Sequence, residues 1–238
     1  TKNIIKAINE KNVPNLIHIS SVAALGYNDD KNNSINETFQ FNWKIATSKK
    51  KYYMLTKHLA DVAIKEEIKS NALILYPGLM FGPGDVTNSA RLINAIKKRK
   101  IPFNMPGGTN IIDVRDVSRG IVETIKNKIT NDHCLLSGTN MQFNQVNEII
   151  ASQLLVRPPK YQLHRMFNPI LLKLLLFIEN ISKNKLEVTA DNVDSAFKFR
   201  YFSNEKAKIT FGWEPCISFE QTTLDTIDWM KKNDLFEK

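Results

Sequence analysis

Ser21, Tyr53 and Lys57 are the residues of this chain whose types and spacing suit chemistry. Tyr53 and Lys57 stand four apart in a segment of helical composition, so a phenol and an ammonium project from one helix face. Ser21 ends an apolar run, Leu16-Ile17-His18-Ile19-Ser20, and is followed by the small residues Val22-Ala23-Ala24-Leu25-Gly26. A hydroxyl, a phenol and an ammonium in one crevice suit proton transfer coupled to hydride transfer at a carbinol or carbonyl carbon. A phenol of ordinary pKa, near ~10, is too protonated to act as a base at neutral pH, and a nearby cation favours its ionised form. A serine hydroxyl donates a hydrogen bond to the reacting oxygen, where charge develops.

Spacing alone does not decide the matter, because Tyr-x-x-x-Lys also describes a helix with a half-exposed tyrosine and a solvated lysine. The surrounding elements weigh more. Residues 1–10 have the pattern of an amphipathic helix, and the run 16–19 that of a buried strand placing Ser21 just past its carboxyl end. Residues 28–50 read as a long polar loop at the mouth of the crevice. A helix over 51–69 puts Leu55, Leu59, Val62 and Ala63 on its core face and leaves Tyr53 and Lys57 off that stripe. The apolar run 72–76 predicts a second parallel strand, after which Pro77-Gly78 turns the chain.

Further helices are predicted within 85–100, from Asp116 with Val117, Ile121, Thr124 and Ile125, and over 144–155; strands are predicted over 110–114 and 134–138. Asp116 reads as a structural carboxylate in a first helical turn. Pro158-Pro159 breaks the pattern and marks the start of a small, mostly helical lobe. Its apolar stretch 169–178 contains Lys173 and falls short of the ~20 residues of a membrane span, so it reads as a buried or substrate-covering helix. A short helix over 203–210 and a last one over 219–232 follow, with Trp213 and Trp229 as lobe core.

Three motifs stand in order: Ser20-Ser21-Val22-Ala23-Ala24-Leu25-Gly26, Tyr53-x-x-x-Lys57, and the strand 72–76 running into Pro77-Gly78-Leu79-Met80-Phe81-Gly82-Pro83-Gly84. Together they resemble the extended short-chain dehydrogenase/reductase superfamily. The first motif, Ile112-Asp113-Val114-Arg115-Asp116-Val117 and Phe211-Gly212-Trp213-Glu214-Pro215 look like its dihydroflavonol-4-reductase and 3β-hydroxysteroid dehydrogenase-like branch. The resemblance implies the C-terminal part of a doubly wound, Rossmann-like parallel α/β sheet. Residues 1–155 would form an incomplete NAD(P)-binding domain, and 156–238 mainly a substrate lobe intertwined with it. It further implies Tyr53 as proton donor or acceptor, Lys57 as partner of Tyr53 and of the nicotinamide ribose, and Ser21 as orienter of the substrate oxygen. Ser20, Pro77, Gly78, Leu79 and Met80 are implied cofactor neighbours, and Ser21, Ala23, Leu79 and Met80 substrate neighbours. The cofactor is expected to be NAD or NADP, the strand that distinguishes them lying outside this sequence.

Nucleotide-sugar epimerases share much of this pattern but usually show Arg where this chain has Tyr76 and Asn where it has Leu79. The substitutions favour reduction of a ketone or aldehyde on a fairly apolar small molecule, or oxidation of its alcohol. The rivals are a nucleotide-sugar epimerase or dehydratase, and a binding protein that keeps the fold as a redox sensor. No glycine-rich dinucleotide turn opens a helix here, so the expectation is that this turn precedes Thr1 and that the stretch alone binds dinucleotides poorly and is inactive.

With 238 residues, 42% of them hydrophobic, the chain can bury a real core. Its net charge of +9 is spread along the sequence, with short clusters only at 49–51 and 97–100 and no finger, RNP or basic-helix signature, which argues against nucleic-acid binding. A solvated basic surface attractive to anionic cofactors is the plainer account. Cys134 and Cys216 read as free thiols of a cytoplasmic protein, and the four histidines show no metal-ligand spacing. A small-molecule substrate is the expected partner, without stable membrane insertion, and a homodimer is left open.

Overall fold

The structure, a computed structural model, describes residues 1–49, 51–181 and 189–236. In chain order, α1 (Lys2–Glu10) leads to β1 (Asn15–Ile19), a 3-10 turn (Val22–Leu25), α2 (Trp43–Ser48), α3 (Tyr52–Glu67) and β2 (Asn71–Pro77). Then come β3 (Leu79–Phe81), α4 (Ser89–Lys97), β4 (Phe103–Asn104), β5 (Gly108–Asp113), α5 (Val114–Lys126), β6 (Asp132–Leu136), β7 (Thr139–Gln142), α6 (Phe143–Gln153) and β8 (Tyr161–Gln162). The chain continues with α7 (Asn168–Ile181), α8 (Ala190–Ala196), β9 (Phe199–Arg200), α9 (Glu205–Phe211) and α10 (Phe219–Lys232).

β1, β2 and β6 form a parallel sheet in that order, with Ile17 opposite Leu73 and Leu75 opposite Cys134. β2 is central, so Leu73 to Pro77 are all buried, which is why that segment reads as continuous apolar sequence. One core cluster joins the β1–β2 face to α1, α3 and the 3-10 turn through Ile5, Ala24, Met54, Ile64, Ile74 and Tyr76. On the other face Trp213, Phe211 and Ala207 pack with Leu73, Leu75, Cys134 and Leu136. Trp213 is therefore core of the main sheet and not of a separate lobe.

The segment after Pro77 differs from the sequence reading. Leu79–Phe81 is a strand, parallel to β5, which also pairs with β7 antiparallel and β9 parallel. Gly78 lies between the two sheets, and a Cβ there would stand 2.3 Å from Asn110 Oδ1. Three residues of strand are too few to show a period, so only the proline and glycine were legible. Residues 28–49 are likewise not plain loop: they contain α2, and Ile35 is buried and bridges to Phe202. In α3 the buried residues are Met54, Asp61, Ala63 and Ile64, while Leu59 is 47% exposed, so the predicted core stripe is displaced. α7 has no buried residue, which sets aside the first of its two readings, a buried or a substrate-covering helix. Among the described residues no helix is long and apolar enough to cross a membrane.

α5 starts before Asp116. Asp113 is its N-cap, accepting from the Arg115 N–H at 2.7 Å, and Arg115 bridges back to Asp113 and across to Asp225 of α10. Asp116 is structural as expected, but through a distant partner: it accepts the N–H groups of Cys216 and Ile217, each at 3.0 Å, while its carbonyl accepts from Trp213 Nε1. The two C-terminal signature segments thus fasten to each other. Both cysteines are free thiols, Cys134 buried and Cys216 exposed.

Candidate active site

β1 delivers Ser20 and Ser21 to the carboxyl end of the parallel sheet. Ser20 N–H continues the ladder to Leu75 O at 2.9 Å, and Ser21, in extended conformation, caps the 3-10 turn by accepting the Ala23 N–H at 3.2 Å. α3 packs directly on that turn, and His58 Nδ1 lies 2.9 Å from the Ala24 carbonyl oxygen. The contact ties the middle of α3 to the backbone just after Ser21.

Tyr53 lies in the first turn of α3 and is 60% exposed, with Lys57 Nζ 5.9 Å from the centre of its ring. Among the described residues neither the Tyr53 hydroxyl nor the Lys57 ammonium has a hydrogen bond or ion pair, so both are available to a ligand. Ser21 is partly buried and its oxygen accepts only a weak capping bond, which leaves its O–H to donate outward.

Beneath the trio lies a buried polar cluster. Asp61, two turns after Tyr53 and 3% exposed, accepts the Ser20 hydroxyl at 3.0 Å, and the buried Tyr76 side chain lies near its carboxylate. His18 Nε2 stands 3.5 Å from its other oxygen. Burial pushes the Tyr76 phenol well above its ordinary pKa, and the Asp61 carboxylate adds to this, so Tyr76 stays a donor. The cluster pins α3 to β1 and β2. It also commits the Ser20 side chain inward, leaving only its backbone for any cofactor contact. Sequence reading missed Asp61 because a carboxylate on a core face looks like an interruption of the stripe.

Pro77 and Gly78 are buried at the sheet's carboxyl end, with Gly78 N–H donating to Leu136 O at 3.1 Å. Leu79 turns inward with Phe81 against the second core cluster, whereas Met80 points the other way and is 38% exposed. Of Leu79 and Met80, Met80 is thus the one whose side chain is open to a ligand. Ala23 is partly buried in the 3-10 turn beside Ser21. Glu37, in the loop after Ser21, accepts the Leu135 N–H at 2.8 Å and covers a backbone donor on β6, an edge strand of its sheet. A cavity of about 250 Å³ between α3 and residues 37–43, lined by His58, Asp61, Tyr76 and His133 among others, lies on another face of α3 and includes none of the trio.

The model of the NAD dependent epimerase/dehydratase family matches residues 1–135, more than half the chain. The chain belongs to this family. Among curated relatives, mouse sterol-4-alpha-carboxylate 3-dehydrogenase, decarboxylating, is 26% identical over 95% of the chain and 66% of its own length. A provisionally named dihydroflavonol 4-reductase of Synechocystis is 24% identical over 98% of the chain and 69% of its length. The chain therefore spans about two thirds of these relatives. Among solved structures, gox2253 superposes with a TM-score of 0.81 at 22% identity, covering 99% of this chain and 72% of that one. A nucleoside-diphosphate-sugar epimerase from Pseudomonas aeruginosa, PA4631, gives 0.76 at 21%, covering 98% and 72%. These likenesses establish the Rossmann-like fold of the extended short-chain dehydrogenases/reductases.

The donor set fits the family's nicotinamide dinucleotide, NAD or NADP. An ammonium and a phenol on one helix, without hydrogen bond or ion pair among the described residues, and a sheet end closed by Pro77 and Gly78 can meet ribose hydroxyls and a flat ring without breaking a described bond of the fold.

Proposed function

We propose that this family member is an NAD(P)-dependent oxidoreductase interconverting a ketone or aldehyde and its alcohol on a fairly apolar small molecule. The observation that carries the reading is the placement of Tyr53 and Lys57, without hydrogen bond or ion pair among the described residues, on a helix tied by His58 to the turn that Ser21 caps. The relatives named as a dehydrogenase and a reductase support it. Exposed Met80, and Leu79 where the epimerases carry Asn, favour an apolar substrate over a nucleotide sugar. The nucleotide-sugar epimerase remains the rival, as structural neighbours of that type share the fold.

A bound NAD(P) supplies the hydride acceptor or donor. In the oxidation direction, Ser21 donates a hydrogen bond to the carbinol oxygen and holds it toward Tyr53. The Tyr53 phenolate takes the hydroxyl proton as the carbon loses hydride, and in reduction the phenol returns it. Lys57 would stabilise negative charge on the phenol oxygen and hold the ribose of a bound NAD(P). Ser20 and Gly78 line the backbone approach, and Ala23 and Met80 the apolar side.

The test is Tyr53→Phe in the full-length protein, assayed at a panel of apolar ketones with NADH and NADPH, with sugar-nucleotide epimerisation followed in parallel. A fall in kcat of about 10²-fold or more, with cofactor affinity kept, is expected. A variant within a few-fold of the parent overturns the assignment, and epimerisation without carbonyl reduction replaces it with the rival.

A further inference from the structure

The outward face of α7 takes no part in the site described above. Ile170, Leu174, Phe177 and Ile181 recur at helical spacing, so they form one stripe, and each is more than half exposed. Met166 and Phe167, in the 3-10 turn Arg165–Phe167 that leads into the helix, add two more exposed apolar side chains. The opposite face is taken: Leu171, Leu172 and Leu175 are half-buried, and Glu179 accepts the Ala190 N–H of α8 at 2.6 Å. α7 therefore rests on α8 and turns an apolar face outward. Single exposed apolar side chains are ordinary, but an unbroken stripe along roughly 17 Å of one helix marks an interaction surface.

The charge of the same segment is one-sided. From Ile149 to Ile178 the sequence holds Arg157, Lys160, Arg165 and Lys173 and neither Asp nor Glu. Lys173 is exposed and is the helix-surface neighbour of Ile170 and Phe177 at the border of the stripe. Lys160 stands 5.6 Å from the centre of the exposed Tyr161 ring. Arg165 is paired with Asp29 at 3.1 Å, whereas Arg157, Lys160 and Lys173 have no ion pair among the described residues.

An apolar stripe bordered by cations suits an anionic lipid surface, where the apolar side chains enter the acyl boundary and the cations meet headgroups. A second copy suits it poorly, because pairing two stripes brings together two acid-free segments of a chain with net charge +9. A protein partner would form about one hydrogen bond per 100–200 Å² of interface, and the stripe offers no polar side chain for one. A bilayer asks for none.

We infer that α7 docks this protein reversibly on an anionic phospholipid surface, with Ile170, Leu174, Phe177 and Ile181 entering the bilayer and Lys173 meeting the headgroups. With 14 residues the helix lies in the surface and does not cross it. Docking of this kind is independent of the reaction proposed above.

The test sediments the full-length protein with sucrose-loaded vesicles of phosphatidylcholine and phosphatidylserine in equal parts, and with vesicles of phosphatidylcholine alone. Binding to the mixed vesicles is expected to be about 10-fold or more tighter than to phosphatidylcholine, and to weaken as NaCl rises. The double variant Leu174→Glu/Phe177→Glu should lose about 10-fold or more in affinity while melting as the parent does, and Lys173→Gln should lose about 5-fold. Should the double variant not fold, Lys173→Gln and the two lipid compositions still decide. No binding to either vesicle, a double variant that binds as the parent does, or binding indifferent to phosphatidylserine and salt overturns the inference. A concentration-dependent dimer in sedimentation velocity that disappears in the double variant also overturns it and assigns the stripe to a second copy.

Discussion

Removing the Asp61 carboxylate tests whether the buried cluster holds α3 in place. Asp61→Ala leaves the Ser20 hydroxyl a buried donor without its acceptor, and it removes the carboxylate oxygen 3.5 Å from His18 Nε2. A hydrogen bond to a charged group contributes about 1.5–3 kcal/mol, and the Ser20 bond is lost here. Part of that is recovered by removing the desolvated charge itself, so the expected loss is about 1–3 kcal/mol. For a chain of this size each kcal/mol moves Tm by roughly 2–4 °C, giving a fall of roughly 2–12 °C in calorimetric melts. Asp61→Asn keeps one acceptor and should fall between the two. A shift under about 2 °C for the alanine variant would show that the cluster does not anchor the helix.

Gly78→Ala drives a Cβ to 2.3 Å from Asn110 Oδ1, the atom that accepts the Gly138 N–H, so both sheets must shift; a loss of about 1–3 kcal/mol in urea melts is expected, and an unchanged midpoint rejects the packing argument. Acid should destabilise the fold in a defined window. Burial opposes ionisation of Asp85, but N–H donors from Asn88 and Ser89 and hydroxyls of Ser89 and Thr87 outweigh it and hold its pKa at about 2. Asp113 and Asp194 are also lowered: burial opposes this in each, but donors from Arg115 and Thr222 in the first, and from Lys49 and Lys51 in the second, prevail. Because these folded-state values lie below the unfolded ones near ~4, their stabilisation is full above that pH and is lost as pH falls through the folded values, about 2 for Asp85. Urea midpoints should therefore drop between about pH 4 and pH 2, and a flat profile there contradicts it.

The parts of the fold legible in sequence are those where one physical term dominates. β2 lies between β1 and β6 with both faces covered, so burial alone writes its apolar run. α10 begins at Phe219 because Ser218 caps it, accepting the Gln221 N–H, a local bond that sequence shows directly. What stayed hidden depends on distant partners. Ile35 is buried only because Phe202 pairs beside it, and α5 starts at Val114 and not at Asp116 because Asp113 is held by Arg115 and by Thr222 of α10.

The candidate site divides the same way. Ser21, Tyr53 and Lys57 stand out in sequence because a strand end and a helical spacing of four are local features, and the structure does place Ser21 just past β1 and Tyr53 and Lys57 on α3. Ser20, Asp61 and Tyr76 do not, since their roles exist only where β1, β2 and α3 meet, and a buried carboxylate among apolar residues has no period to betray it. The signature segments around Asp113–Asp116 and Gly212–Pro215 mislead in the opposite sense. They identify the branch well, yet the structure uses them as a clamp between α5 and the C-terminal chain, away from the trio. Family membership is thus recorded clearly in residues that hold the fold.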